Sequence, residues 1–246
     1  MKTTQPNRTP SRSSQPSPRG LRVRRRADRE RGFTLIELLT VITIITILAS
    51  VSYTGVKGAL YMAKMNAAMQ NAKQISNGLR AWAADYDGIF PGEMHPVTEE
   101  EFSSANDVFA ALLPSYIDTE RVFPVAGCAW GSRADGRFEE ESDRLKAGEN
   151  HWAYVAGLTT TSMSDWPLIV DGTNGSGQYV SQPNEKGGVW EGKKAIVIRV
   201  GGSAETVPLL GENDERYIPR IGYPEENALD VSSYMGKGVT LMEPED

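Results

Sequence analysis

The sequence contains one cysteine, two histidines and a single long apolar run, and these scarcities exclude several classes of protein. A lone thiol, Cys128, cannot form a disulfide within the chain, so any folded part must be held together by packing, with Cys128 as a small buried side chain. His95 and His151 lack the spacing of a zinc site, and no nucleophile-elbow motif accompanies them. The residue types therefore favour a protein that is not an enzyme.

Charge is distributed unevenly along the chain. Residues 1–32 contain ten Lys/Arg and two Asp/Glu, and the remainder contains sixteen basic and thirty acidic residues, a balance of −14. A basic arm is usually read as a nucleic-acid contact, but this one directly precedes the apolar run. The positive-inside rule then predicts a cytoplasmic N-terminus and an exported acidic domain. We therefore expect no nucleic-acid partner.

Two segments are predicted at the N-terminal end. Residues 1–32 are rich in Pro, Ser and Arg without a hydrophobic period, which predicts a disordered basic leader peptide. Residues 33–56 form the apolar run, which as a helix would be about 36 Å long and could span a bilayer. The run is too long for an ordinary secretory signal, although Ala49 leaves a cleavage there open.

The helix is predicted to continue beyond the membrane. Residues 57–87 are strong helix formers, with large apolar side chains at spacings of three, four or their sums, which is typical of an amphipathic helix. Those side chains are Met65, Met69, Ile75, Leu79, Trp82 and Tyr86. Gly88 is expected to end the helix, giving a stalk of roughly 50 residues and about 80 Å.

Residues 88–246 are predicted to form an exported globular α+β domain. A short helix is expected from Ser104 to Ile117, with Ser104 as its N-cap and Asp107 three residues on. The region from Phe123 to Gly148 is expected to be an irregular surface excursion. Alternating or continuous β-formers predict a small antiparallel sheet on which the long helix packs. The predicted strands are His151–Leu158, Trp166–Asp171, Lys194–Val200 and Ser203–Leu209.

One carboxylate, Glu37, lies inside the apolar run. A carboxylate at membrane depth costs about 3 kcal/mol on insertion scales, so it indicates a functional residue with a partner. The surrounding sequence, Arg31-Gly32-Phe33-Thr34-Leu35-Ile36-Glu37, resembles the cleavage and methylation site of type IV prepilins and of type II secretion pseudopilins. The alternative is a plain membrane anchor whose Glu37 reaches the membrane interface.

The resemblance implies a function and a set of partners. A prepilin peptidase/methyltransferase would cleave after Gly32 and methylate the new N-terminal amine of Phe33. The chain would then join other copies or other pseudopilin subunits at an inner-membrane assembly platform, with its C-terminal domain periplasmic or extracellular. Glu37 of one subunit would neutralise the Phe33 ammonium of a neighbour in the apolar filament core. The lack of paired cysteines favours a major-pseudopilin-like protein over an adhesive pilin.

Two further polar patterns leave alternatives open. Thr40, Thr43, Thr46 and Ser50 form a polar stripe that serves either subunit packing or bonding back to the helix itself. Asp171 and Asn174 begin an oxygen-rich and glycine-rich loop that runs to Gly177. Because some major pseudopilins bind calcium in C-terminal loops, this loop is either a calcium site or a set of turns. No other cofactor is expected.

Two functions from other classes remain open at this stage. The chain could be a membrane-tethered extracytoplasmic binding module for carbohydrate or protein, because its five tryptophans could line a binding face. It could also be a tethered hydrolase that uses His151. The binding module would retain its leader and would not polymerise. In the hydrolase, isolated residues 88–246 would turn over a substrate, and His151→Ala would abolish that activity.

Overall fold

A computed structural model describes residues 32–246, and for residues 51–54 and residue 141 it describes only the backbone. The chain divides into two compact units, residues 1–51 and residues 52–246, and each is described by itself. The predicted leader lies outside the described residues except for Gly32. The domain boundaries predicted at residues 56 and 87 stay predictions.

The longest element is helix α1, Leu35–Asp85, which has 51 residues and crosses from the first unit into the second. It confirms the long N-terminal helix, which begins two residues later than predicted. Within the second unit, Met65, Ile75 and Leu79 are almost fully buried, as their spacing predicts. Small residues that the periodicity did not mark, such as Ala72, complete the buried face.

A glycine in the middle of α1 permits a close contact. A Cβ at Gly78 would lie 2.7 Å from Cγ1 of Ile117, which is far below a van der Waals contact. Glycine in a helix interior costs about 1 kcal/mol relative to alanine. The close approach of Ile117 to the helix backbone explains why that cost is tolerated.

Helix α1 ends at Asp85, and Gly88, the residue predicted to end it, closes its last turn. Gly88 has φ of +81° and its N–H donates to the Ala83 carbonyl at 2.7 Å, across the last turn. Glycine adopts this left-handed conformation without the steric penalty of a Cβ. The chain therefore turns away from the helix axis at residues 86–88 and enters a loop.

Helix α2 is Ala105–Ala111, so the predicted end at Ile117 is wrong. Its beginning is confirmed: the Ser104 hydroxyl accepts the Asp107 N–H at 3.2 Å, and the Asp107 carboxylate accepts the Ser104 N–H at 3.0 Å. The early end follows from Pro114, which has no N–H and disfavours helical backbone in the residue before it. Ile117 still faces the core, with 6% of its surface exposed.

The remaining elements are β1 Trp152–Ala156, β2 Pro167–Asp171, β3 Lys194–Arg199, β4 Ala204–Pro208, β5 Pro219–Arg220, β6 Tyr223–Asn227, α3 Val231–Tyr234 and β7 Thr240–Met242. Five antiparallel strands form the main sheet in the order β4-β3-β2-β1-β7. Their register pairs Ala153 with Val170 and Tyr154 with Met242. The ribbon of β5 and β6 and the short helix α3 lie between β4 and β7 in sequence.

The four predicted strands are present, each one to three residues shorter than its predicted span, and β5, β6 and β7 are additions. In the three central strands nearly every residue is buried, because side chains cover both faces of the sheet. One face packs against α1 and α2, and the other carries a smaller cluster that includes Tyr179 and Leu229. The architecture is α+β and is consistent with a pilin-like fold.

Candidate functional site

The predicted processing site lies just before α1. Gly32, Phe33 and Thr34 are exposed and are not helical. Among the described residues, no heavy atom lies within 4 Å of the position that a Cβ on Gly32 would occupy, and Phe33 is 79% exposed. A peptidase needs an extended and accessible backbone at the bond it cleaves. In the described part of the chain, the Gly32–Phe33 bond is exposed and lies outside the helix.

Thr34 and Glu37 together cap the beginning of α1. The Glu37 carboxylate accepts the Thr34 N–H at 2.9 Å and the Thr34 hydroxyl at 2.8 Å, while the Glu37 N–H donates to Thr34 Oγ1 at 3.2 Å. This reciprocal capping box satisfies donors that the first helical turn leaves unpaired. Glu37 therefore has a partner within its own chain. Sequence reasoning gave Thr34 no role, although Thr-x-x-Glu before an apolar run is the signature of such a cap.

The surface of α1 in the first unit is apolar and uncovered. Every residue from 32 to 50 is exposed, and the large apolar side chains range from 47% exposed at Val41 to 83% at Leu35. Burying one such side chain is worth about 1.5–3 kcal/mol. By length and composition the helix could cross a membrane, a test that a signal sequence also passes. Among the described residues, nothing covers this apolar surface.

The hydroxyl stripe on this part of α1 is satisfied within the helix. Thr40 donates to the Ile36 carbonyl at 2.8 Å, and Thr43 and Thr46 donate to the carbonyls four residues earlier at 2.8 and 2.7 Å. Ser50 donates to the Ile47 carbonyl at 2.8 Å. The sequence left two interpretations of these hydroxyls open, and in the described helix they form hydrogen bonds to carbonyls of the helix itself.

The structure places Asp171 and Asn174, the predicted calcium ligands, in different environments. Asp171 is 1% exposed, accepting the Trp190 indole N–H at 3.0 Å and the Ile196 N–H at 2.5 Å. Burial raises the pKa of Asp171 to about 7. The Asn174 side-chain oxygen accepts the Ser176 N–H at 3.0 Å and so closes a turn. Both side chains serve internal hydrogen bonds, and calcium at this loop stays a prediction.

Three other carboxylates, which the sequence did not single out, do converge. Oxygen atoms of Glu120, Asp135 and Glu149 lie within 4.8 Å of one another. Glu120 accepts the Leu145 and Gly136 N–H groups at 2.9 and 3.0 Å. Burial is the main cause that raises the pKa of Glu120. These carboxylates organise the loop between α2 and β1 through its backbone donors.

A cation already faces this carboxylate cluster. The Lys146 ammonium lies 3.0 Å from the Asp135 carboxylate and 3.2 Å from that of Asp143. Carboxylate oxygens are ligands that calcium accepts, but it prefers six to eight of them on a flexible loop. With most of its oxygens bonded to N–H groups, the cluster is accounted for as a structural support of the loop.

Both histidines are held by backbone donors. His95 Nδ1 accepts the Val97 and Thr98 N–H groups at 3.2 and 3.1 Å, and His151 Nδ1 accepts the Val125 N–H at 2.7 Å. Burial lowers the pKa of His151 to about 4, while the Gly148 carbonyl acts in the opposite direction. Within residues 32–246, no hydrogen bond joins either imidazole to a carboxylate or to a nucleophile. This geometry gives the hydrolase hypothesis no support.

Comparison with known families identifies the N-terminal segment. Residues 28–53 match the model of the prokaryotic N-terminal methylation motif. No curated protein and no solved structure has significant similarity to the chain. The match includes Gly32, Phe33 and Glu37 and ends before the part of α1 that packs in the second unit. The beginning of this chain is therefore a prepilin-like segment, which favours a structural subunit over an enzyme.

Proposed function

We propose that the protein is a prepilin-like structural subunit, cleaved after Gly32 and methylated at Phe33, that assembles into a pseudopilus or a type IV pilus-like filament through α1. The observation that carries the proposal is the methylation motif at residues 28–53, which lies directly on an uncovered apolar helix. In the proposed function, this helix lies first in the lipid bilayer and then among neighbouring subunits, and both surroundings are apolar. This accounts for both the methylation motif and the uncovered apolar surface.

The cap at the N-terminus of α1 gives Glu37 two successive roles in this proposal. Before assembly, its carboxylate holds Thr34 at 2.8–2.9 Å. In the filament it also faces the Phe33 ammonium of a neighbour, because an unpaired charge in an apolar core is heavily penalised. Assembly then fixes the relative register of subunits. The inner membrane is the proposed location, with an assembly platform and the peptidase/methyltransferase as partners.

Replacement of Glu37 tests the proposal. Glu37→Ala should still lose its leader, because the Gly32–Phe33 bond is unchanged, but its yield of sheared filaments should fall by about tenfold or more, as expected for one lost buried ion pair. The matched control is Glu225→Ala, an exposed glutamate in β6. Normal filament yield from Glu37→Ala, with the wild type forming filaments, would contradict the charge pairing. Absence of filaments from the wild type itself would contradict the proposed function.

A further inference from the structure

A cleft of about 560 Å³ lies within the second unit, between α1 and the loop of residues 121–134. Asn71 of α1 lines one side, and Arg121, Arg133 and the backbone of Gly127 line the other. The chain's single cysteine, Cys128, also lines it. None of the sequence patterns or the family match assigns a role to this cleft.

Three cations border the cleft without a counter-charge in the described part of the chain. Arg121 and Arg133 line it directly, and the Lys64 ammonium lies 2.4 Å from the position that a Cβ on Gly127 would occupy. Lys64 and Asn71 are seven residues apart, so they share one face of α1. Among residues 32–246, no ion pair is formed by Lys64, Arg121 or Arg133. Most other cations of this domain, by contrast, bond to a carboxylate or a carbonyl, as Lys146 and Lys186 do.

The carboxylates next to these arginines in sequence are directed elsewhere. Glu120 accepts the Leu145 and Gly136 N–H groups, and Asp135 accepts the Arg137 N–H at 2.8 Å and the Lys146 ammonium at 3.0 Å. Like charges that gather on one surface without compensation repel each other and attract an anion. The cleft is therefore a positive site on a domain whose overall balance is strongly negative.

Hydrogen bonds and close packing fix the wall of the cleft. His151 Nδ1 accepts the Val125 N–H at 2.7 Å, and the Cys128 N–H donates to the Val125 carbonyl at 3.1 Å. A Cβ on Gly131 would lie 1.9 Å from His151 Nε2, so the loop backbone packs directly on the imidazole. Because the ring is buried and neutral, it braces the loop and leaves the positive charge of the cleft to Lys64 and the arginines.

We propose that this cleft receives the carboxylates of the exposed run Glu99–Glu101 of a second copy of this chain. The proposal rests on the proposed function, because it describes a contact between subunits of the same filament. Charge complementarity supports it: the run carries three consecutive exposed glutamates, and the cleft presents three uncompensated cations. A contact between two different surfaces of one protein is heterologous, and it propagates into a filament when the rotation does not close.

The positions of the two surfaces along α1 fit a stepped assembly. The His95 ring packs on Trp82 with 5.1 Å between centroids, which places the loop that leads to Glu99 beside the end of α1. The cleft lies beside Lys64 and Asn71, so the two surfaces are separated by roughly 16–27 Å along the helix axis at 1.5 Å per residue. Subunits with parallel helices would then contact each other when one is displaced along the axis by such a distance.

Charge reversal in the full-length protein tests the contact. Arg121→Glu with Arg133→Glu should reduce the filament yield by about tenfold or more, as expected when close interfacial charge pairs are lost. Lys194→Glu with Lys237→Glu is the matched control, because it makes the same change of net charge away from the cleft. Adding Glu99→Lys with Glu100→Lys to the cleft variant should restore filaments. The melting temperature of each detergent-extracted variant reports whether the domain remains folded.

Cys128 provides a second readout that does not depend on filament yield. Glu100→Cys should give a ladder of crosslinked species with Cys128 on treatment of membranes with a bifunctional maleimide, whereas Glu225→Cys should not. Equal ladders from both variants, or none from a filament-forming Glu100→Cys variant, would overturn the proposal. Normal filament yields from all the cleft variants, together with protection of Cys128 by inorganic phosphate in the wild type, would also overturn the proposal. The cleft would then bind a free anion and not a second copy of the chain. A wild type that forms no filaments would fault the proposed function instead.

Discussion

Leu39 and Leu79 belong to the same helix, yet Leu39 is 54% exposed and Leu79 is completely buried. The first lies in residues 32–51, where every described side chain is uncovered, and the second lies in residues 52–246, where α1 packs against the sheet. One helix thus contains a segment that packs against other described parts of the chain and a segment whose apolar side chains no described residue covers. The methylation motif lies on the second kind of segment.

The largest expected effect comes from truncating the two leucines separately. Leu79→Ala should lower the free energy of unfolding of the domain by about 2–5 kcal/mol, because it opens a cavity in a close-packed core. Leu39→Ala should leave that free energy unchanged within about 0.5 kcal/mol, since the described part of the chain leaves this side chain largely exposed. Denaturant unfolding of the full-length protein in detergent, followed by tryptophan fluorescence, measures both. Equal losses of unfolding free energy in the two variants would contradict the difference in packing between the two segments of α1.

Titration of the buried carboxylate Asp171 tests a second property of residues 52–246, because the charged groups that are buried among the described residues lie there. Burial raises the pKa of Asp171 from 3.8 to about 7, so its contribution to stability is full below about pH 4 and is lost as the pH rises through 7. Burial lowers the pKa of His151 from 6.5 to about 4, so its contribution is present above pH 6.5 and is lost as the pH falls through 4. The two contributions oppose each other between pH 4 and 6.5.

Asp171→Asn removes one of the two contributions. The free energy of unfolding of the variant should rise with pH between 4 and 6.5 more steeply than that of the wild type, by up to about 1.4 kcal/mol per pH unit. Asp171→Asn also alters the hydrogen bonds to Trp190 and Ile196, which changes the free energy of unfolding by the same amount at each pH. This change does not affect the slope of unfolding free energy against pH. Asp165→Asn, at an exposed carboxylate, is the control and should retain the wild-type slope. Identical slopes for all three proteins would show that Asp171 is ionised throughout this range.

The smallest expected effect is at the beginning of α1. Thr34→Ala removes the capping hydroxyl and should cost about 1 kcal/mol, or about fivefold in the opening of the first turn. Amide hydrogen exchange of residues 35–38 in bicelles measures that opening. Thr43→Ala is the control, because the Thr43 hydroxyl bonds only to the Leu39 carbonyl in the described helix. Equal exchange rates of residues 35–38 in the two variants would show that the Thr34 hydroxyl does not stabilise the first turn of α1.

Local patterns predicted the features whose cause is local. The period of α1, its capping at Gly88 and the strands β3 and β4 follow from residue spacing and residue type, and the structure confirms them. Strand β7 could not be predicted, because Thr240–Met242 is three residues long and gains its pairing from β1, more than eighty residues earlier. The early end of α2 could have been predicted from Pro114.

Sites formed by distant parts of the chain were not predictable. Gly32, Phe33 and Glu37 lie close together in the sequence, so the motif alone indicated the processing site. Glu120 and Glu149, by contrast, meet only because a loop of almost thirty residues folds back on itself. The same holds for the cleft, whose cations come from α1 and from the loop that precedes β1. Asp171 looked like a loop ligand in the sequence, but the fold buries it against Trp190.

The N-terminus of the membrane-extracted protein shows whether the chain is processed at the Gly32–Phe33 bond. Intact mass and N-terminal peptide sequencing would identify it without any variant. We expect a chain that begins at Phe33 with one methyl group on its amine. A chain that begins at Met1 would indicate a tethered module, and one that begins after Ala49 a secreted domain. Either result would contradict the proposed processing and, with it, the filament subunit.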